Sequence, residues 1–508
     1  MSEKGVDQPQ NSGIRLDTVV LICGAVVMIF EIIGSRALAP FIGTSTYIWT
    51  SLIGVILGAL SAGYWIGGRM ADRLPKKHVL GSATLAAAGL IALTTLIKDP
   101  FLTGIAELPT RLELKAVISA LILFAPASVA LGFVTPYAVK LRMDSLGNAG
   151  RTVGRLYALS TIGSIIGTFV AGFVLLPFLG TNRTLYLITA ALFLATFLLI
   201  PFRLDRKISS AGIVLILAIT ANELTSYVMY RAIGFEDIDT EYSRVRIFRS
   251  TDPNTHQPIE AMTFDPHSTQ SAMFIDNDEL VFEYTKFYHL ISILKPGFQR
   301  SLMIGGAGYS FPKAYLASYP HASLDVVEID EALTQIARQR FRLRYNDRLR
   351  IIHEDGRVFL NHSDTAAYDV LMIDAFGSLF SVPYQLTTIE AVTQMHRTLT
   401  EDGVVVFNLG SAVRGDASLF FQAEFVTYKA VFPFVYMFKV RPERSVAELQ
   451  NLIVVACKRE CLPPSSDDRF IGPLLDRRYL DEVPSTVPVL TDDLSPVEQY
   501  MSIAQASR

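Results

Sequence analysis

Charge is scarce in this chain. Only 18% of its 508 residues are Asp, Glu, Lys or Arg, against about a quarter in ordinary soluble domains. The net charge of −3 lacks the basic footprint of a nucleic-acid binder, so no nucleic-acid partner is expected. Cysteine is scarcer still. Cys23, Cys457 and Cys461 are too few for a disulfide framework and are not spaced as a metal quartet. Cys23 lies in an apolar run and Cys457 in a strand-like one, so both read as small buried hydrophobes. No cluster of metal-ligating residues and no Ser–His–Asp arrangement stands out, and His353 falls inside a strand-like run where it reads as structural. The first 15 residues are polar and without an apolar stretch, so no cleaved targeting segment is expected.

What is abundant is apolar residue, 50% of the chain with a mean hydropathy of +0.35, and it is concentrated before about residue 230. A membrane-spanning helix needs about 20 mostly apolar residues. Six stretches meet that need: Val19–Ile33, Tyr47–Ile66, Val79–Ile97, Ala116–Val139, Leu156–Phe178 and Leu185–Ile200. A seventh, Ile208–Tyr230, is interrupted by Asn222 and Glu223. Basic residues collect in the even loops, as Arg69, Arg73, Lys76 and Lys77, then Lys140, Arg142, Arg151 and Arg155, then Arg203, Arg206 and Lys207. This places the N-terminus and the even loops in the cytoplasm. Gly54 with Gly58, Gly63 with Gly67 and Gly163 with Gly167 have the four-residue spacing that lets helices approach closely. Glu31 is an acid within the first span, where burial of charge is costly. The segment Gly68–Lys77, with its Asp72-Arg73 and basic pair, resembles the loop between the second and third helices of major-facilitator transporters.

After residue 230 the pattern changes. Ser243–Arg249, Ile259–Phe264 and Gln270–Ile275 read as short strands separated by turn residues. A helix-like run, Leu280–Leu294, follows. Strands at Ser301–Ile304, Ser323–Ile329, Arg348–His353, Tyr368–Ile373, Val404–Asn408 and Leu452–Cys457 then alternate with helices, which indicates a parallel, doubly wound sheet. Ligands of such sheets bind at the carboxyl ends of the strands, and there the chemistry collects. Gly305-Gly306-Ala307-Gly308 follows the first strand and opens a helix, allowing backbone to approach a nucleotide group. Glu328 ends the second strand, where an acid can accept from both ribose hydroxyls. Asp355-Gly356 follows the third and Asp374 ends the fourth. Each acid alone reads equally as a helix cap or a solvated turn, but on four successive strand ends they describe a nucleoside-cofactor site. The dinucleotide fingerprint lacks its third glycine, since Phe311 stands in that place.

The chain resembles membrane-fused relatives of the spermidine and spermine synthases. The residues carrying the likeness are Glu31–Pro40, Gln270-Ser271, Asp278-Glu279 with Tyr284, the glycine loop, Val327–Asp330, Tyr368–Asp374 and Leu490–Asp493. The resemblance implies a small β region followed by a Rossmann-like methyltransferase or spermidine-synthase domain. It implies transfer of an aminopropyl group from decarboxylated S-adenosylmethionine to an amine. It gives cofactor binding to Gly305, Gly306, Gly308, Glu328, Asp355, Gly356 and Gln270, acceptor binding to Tyr284 and Gln270, and the catalytic base to Asp374. An amine is protonated at neutral pH and cannot attack until a carboxylate takes its proton. The sequence departs from the family at three points. Gly308 and Gly377 stand where the synthases carry acids, and the family's Tyr-His-Glu reads Tyr284-Thr285-Lys286.

The expected organisation is a polar tail (1–15), a transmembrane bundle of six or seven helices (16–232), a small β region (237–285) and an S-adenosylmethionine-binding α/β domain (286–508). The expected activity is aminopropyl transfer using S-adenosylmethionine or its decarboxylated form, without a metal. The alternatives are methyl transfer or cleavage of the cofactor and, from another class, a transporter or sensor with a nucleoside-binding domain. The expected partners are the lipid bilayer of the cell membrane, a small amine or other acceptor, and a second copy in a homodimer. If the seventh segment spans, the catalytic domain lies outside, and if it lies along the interface the domain stays inside; because S-adenosylmethionine is made in the cytosol, the cytoplasmic side is expected.

Overall fold

The computed structural model describes residues 10–143, 148–200, 221, 224–225, 228, 234–265, 268–375, 382–483 and 487–506. Most of the seventh apolar segment, Ile208–Tyr230, lies outside them, as does Gly377. The chain divides into two compact units, one ending at Arg231 and the other continuing from Ala232.

The first unit is built of long apolar helices: α1 Gln10–Ile42, α2 Thr46–Arg73, α3 Lys77–Ala106, α4 Leu112–Leu123, α5 Ala125–Gly132, α6 Val134–Arg142, α7 Ala149–Val170 and α8 Leu176–Leu199. Among the described residues four helices are long and apolar enough to cross a membrane, or five if the pair bent by 49° between Leu123 and Ala125 is one span. That count is below six because Leu156–Phe178 and Leu185–Ile200 fall in one helical stretch, Ala149–Leu199, joined through a π-helical turn at Ala171–Leu175. The stretch is broken at Gly180, whose φ of 74° is left-handed. Its two ends meet the same end of the bundle. Arg155 pairs with Asp17 at 2.6 Å, and Thr196 hydrogen-bonds Thr84 at 2.9 Å near the start of α3. Asp17 also holds Arg142 at 2.7 Å, and the Tyr137 hydroxyl donates to the Leu74 carbonyl in the loop before α3. The polar N-terminal turn and the two basic loops therefore share one end.

Two of the three glycine pairs sit at helix crossings. A Cβ at Gly63 would lie 2.2 Å from the Val129 carbonyl oxygen, and one at Gly163 would lie 2.1 Å from that of Leu21. Among the described residues nothing lies within 4 Å of a Cβ at Gly54 or Gly58, so the close packing expected there is not made by them.

The second unit opens with an antiparallel sheet of β1 Glu236–Asp239, β2 Arg244–Thr251, β3 Pro258–Thr263 and β4 Ser271–Phe274. Seven strands follow: β5 Arg300–Ile304, β6 Ser323–Val327, β7 Leu349–Ile352, β8 Tyr368–Ile373, β9 Leu399–Ser411, β10 Phe434–Lys439 and β11 Gln450–Cys457. They form one sheet in the order β10-β11-β9-β8-β5-β6-β7. β11 runs antiparallel to both neighbours, so the sheet is mixed, Rossmann-like, and not wholly parallel. Near-continuous apolar runs such as Val404–Phe407 fit strands covered on both faces. Leu302 and Leu371 pack into one core, while Met303 and Met372 pack into the other across the sheet.

The cysteine reading needs one correction. Cys457, the last residue of β11, is disulfide-bonded to Cys461 across a Cα separation of 6.2 Å, a distance the bond spans readily. The strand end and the turn after it bring together two residues that sequence spacing alone did not pair. Cys23 is free and buried.

Candidate active site

The strand order reverses between β5 and β8, each of which continues away from the other, and crevices at such switch points are where open α/β sheets bind ligands. The chain leaves β5 through Gly305, whose φ is +96°. A Cβ there would lie 2.3 Å from the Asp374 carbonyl oxygen, so only glycine lets the two strand ends lie this close. Ala307 and Tyr309 also have positive φ, 43° and 54°. Tyr309 is completely buried, and its hydroxyl lies 2.7 Å from that of Thr334. Burial and this bond hold a conformation that a non-glycine residue adopts only at a cost.

Asp374, at the end of β8, is the candidate centre of the site. Tyr284 donates its hydroxyl to Oδ2 at 3.1 Å, and the Asn408 amide donates to Oδ1 at 3.1 Å. Burial pushes the Asp374 carboxyl up to about 6, and the two hydrogen bonds restrain the rise. Burial, then the neighbouring Asp374 charge, holds the Tyr284 phenol well above its ordinary value, so it remains a donor. A carboxylate poised near neutral pH can accept a proton and return it to water. Asn408 is held in turn by the Asn451 amide, which donates to its side-chain oxygen at 2.9 Å.

A cavity of about 440 Å³ lies over this centre. It brings together Asp374, Tyr284, Gln270, Gly305 and Gly306. Gln270 is held in place: its Oε1 accepts from the Phe264 N–H at 2.8 Å, and its Nε2 donates to Ser268 Oγ at 2.9 Å.

The expected nucleoside residues are arranged differently. Glu328 is buried, with Oε2 accepting from the N–H groups of Gly306 and Ala307 and Oε1 from that of Asp330. A carboxylate offers about four acceptor positions, so roughly one is left for a ribose hydroxyl. As built, Glu328 positions the glycine loop. Asp355 caps the helix Gly356–His362, its Oδ1 accepting from the N–H groups of Arg357 and Val358. Glu328, Asp355, Gly356 and Gly308 do not line the cavity. Gly308 packs against β4, where a Cβ would lie 2.2 Å from Ser271 Oγ and 2.8 Å from Ser271 Cβ. The space an acid would occupy is filled. Asp492, from the late motif, pairs with Arg357 at 2.7 Å and secures the same helix.

Asn408 was not singled out from the sequence. Its signal was a polar residue closing the apolar strand Val404–Asn408. Tyr288, whose hydroxyl donates to the Ile373 carbonyl at 2.9 Å, gave no signal beyond its helix-like run.

No family model matches the chain. The chain is 26% identical over 262 residues to the polyamine aminopropyltransferase of Vibrio vulnificus (strain CMCP6), a match covering 50% of this chain and 84% of that protein. It is 30% identical over 166 residues to the N-terminal histidine N-methyltransferase of Emericella nidulans, covering 30% of this chain and 28% of that one. Among solved structures, a probable spermidine synthase from Corynebacterium glutamicum ATCC 13032 superimposes with a TM-score of 0.38 and 22% identity, covering 45% of this chain and 82% of the other. The aminopropyltransferase relatives support a spermidine synthase-like family. They also support a transferase of the polyamine aminopropyltransferase type.

Proposed function

We propose that the chain is a membrane-bound transferase that moves an aminopropyl group from an S-adenosylmethionine-type sulfonium, in its decarboxylated form, to an amine. The observation carrying this reading is the Asp374 carboxylate, fixed by Tyr284 and Asn408 beside the glycine turn and open to the cavity. In the step, the amine lone pair attacks the carbon bonded to sulfur. The C–S bond breaks, its electron pair stays on sulfur, and methylthioadenosine leaves as a neutral thioether. Asp374 takes the proton the nitrogen sheds. Glu328 and Asp355 hold the nucleoside end, Glu328 through the acceptor position left on it and through the loop it positions.

Methyl transfer is the second reading. It is favoured by Gly308, which leaves no acid to grip a decarboxylated cofactor's amine, and by the methyltransferases among the relatives. The helical unit is proposed to cross the membrane six times, with Gly180 reversing the chain between the last two crossings. The contacts of Arg155 and Thr196 at one end of the bundle support this. The domain is placed on the cytoplasmic side, where the sulfonium substrate is made.

The test is incubation of purified protein with each cofactor form and an amine, with products read by mass spectrometry. Aminopropylated amine and methylthioadenosine should form together and disappear in Asp374→Asn. Undiminished turnover in that variant removes Asp374 as base, while methylated product in place of aminopropylated product selects the second reading.

A further inference from the structure

Among the described residues that line the cavity, three carry charges that bear directly on an acceptor: Glu283, Asp374 and Arg441. They are not equally available. Glu283 is paired with Lys286 at 2.9 Å and Arg477 at 3.1 Å. Burial tends to raise its carboxyl, but the two cations outweigh that and hold it below its ordinary value. Its charge is therefore already answered. Arg441 is exposed. Its backbone N–H donates to Gln450, but its guanidinium makes no hydrogen bond or ion pair among the described residues. Among the described residues, what the cavity offers a ligand is one carboxylate and one guanidinium.

These two groups stand at opposite ends of one edge. Asp374 follows β8, and Arg441 follows β10, which runs in the same direction as β8 and β9. The carboxyl edge between them is continuous. Asp374 is bonded to Asn408 on β9, Asn408 to Asn451 on β11, and the Val440 N–H donates to the Asn451 carbonyl at 3.3 Å. Three strand spacings separate β8 from β10, roughly 14 Å of backbone. An arginine side chain extended along this edge toward the carboxylate would shorten that span to the length of a small extended molecule.

The geometry points to an acceptor that is an amine carrying an anionic group at its far end, with its nitrogen at Asp374 and its anion at Arg441. This rests on the aminopropyl-transfer reading and specifies its substrate class. A diamine would set its second ammonium against Arg441, with no open carboxylate among the described lining residues to receive it. A carboxylate or phosphate on that end meets a planar donor suited to it.

Putrescine and 4-aminobutyrate make the comparison, because they differ by an ammonium against a carboxylate on the same chain length. O-phosphoethanolamine serves as the phosphate arm. Binding of each to full-length protein saturated with methylthioadenosine is measured by calorimetry. At least one anion-bearing amine should bind roughly tenfold or more tightly than putrescine, the size expected when attraction replaces repulsion at a part-exposed charge. The preferred arm identifies the anion. Arg441→Lys should keep the preference and Arg441→Glu should reverse it. Preference for putrescine, failure of all three to bind, or a ratio unmoved by Arg441→Glu overturns the inference while the aminopropyl reading stands. Failure to bind methylthioadenosine overturns that reading, and this inference with it.

Discussion

Removing the Asn408 amide should make Asp374 harder to ionise. The amide donates to Oδ1, so it stabilises the charged carboxylate and opposes the burial that pushes the group up to about 6. A hydrogen bond to a charged group contributes about 1.5–3 kcal/mol. Each factor of ten in ionisation is about 1.4 kcal/mol, so Asn408→Ala should move the Asp374 midpoint upward by about one to two pH units. With a native midpoint of about 6, Asp374 should be mostly ionised at pH 7, whereas in the variant it should be half protonated or more there and ionise fully only in alkaline buffer. The direct assay is infrared titration of protein labelled with ¹³C-carboxyl aspartate. The Asp374 band is identified by its absence from Asp374→Asn, so the reading requires no knowledge of the acceptor. Asn451→Ala leaves the amide in place but loosens it, and should give a smaller shift of the same sign. A midpoint that stays put or falls in Asn408→Ala would refute the account of Asp374.

Three further outcomes follow from the same geometry. Gly308→Asp should lose about 1–3 kcal/mol through overpacking against Ser271, and Ser271→Gly in the same chain should recover most of it in thermal melts; a single variant as stable as the native protein would contradict the packing. Glu424, 2% exposed and with Oε1 unpartnered among the described residues, is held by burial well above the ordinary carboxyl value. The folded state then keeps a proton that the unfolded chain releases, so stability is full below the ordinary glutamate range and falls as pH rises. Relative to Glu424→Gln, native stability should drop by about 1.4 kcal/mol per pH unit through that window, and parallel curves in denaturant titrations would show an ionised Glu424. Cys461→Ser opens the short loop closed with Cys457 and should cost about 2 kcal/mol under oxidising conditions by loop entropy. A cytoplasmic domain should show both thiols reduced in alkylated intact cells; finding the bond closed there would place the domain in an oxidising compartment.

The site residues on strand ends were legible because a turn glycine, then an acid closing an apolar run, is a local signal. Asp374 and the glycine loop needed only their neighbours in sequence to be found. Glu328 was legible as a position but not as a contact. That its oxygens turn back to the Gly306, Ala307 and Asp330 N–H groups depends on how the β5 and β6 ends are stacked. Asn408 was hidden for the same reason, since its partners lie on β8 and β11. β10 was missed because Phe434–Lys439 joins no alternating pattern and follows its helix after a short turn. The order that places β11 between β9 and β10 has no periodic trace. Apolar length gave the helices of the first unit, but it could not show that Gly180 breaks a stretch that otherwise continues.

The position of β11 has a consequence for how the protein is made. The strand lies between β9 and β10, yet it is the last of the sheet to be synthesised. Until it arrives, β9 presents an open edge, a template for pairing with another chain. Asn451, which steadies Asn408, arrives on the same strand. The nascent domain must therefore wait, tethered to helices already emerging ahead of it, with its aggregation-prone edge uncovered. A ribosome stalled before Gln450 would leave a chain whose helical unit is finished and whose candidate site is not.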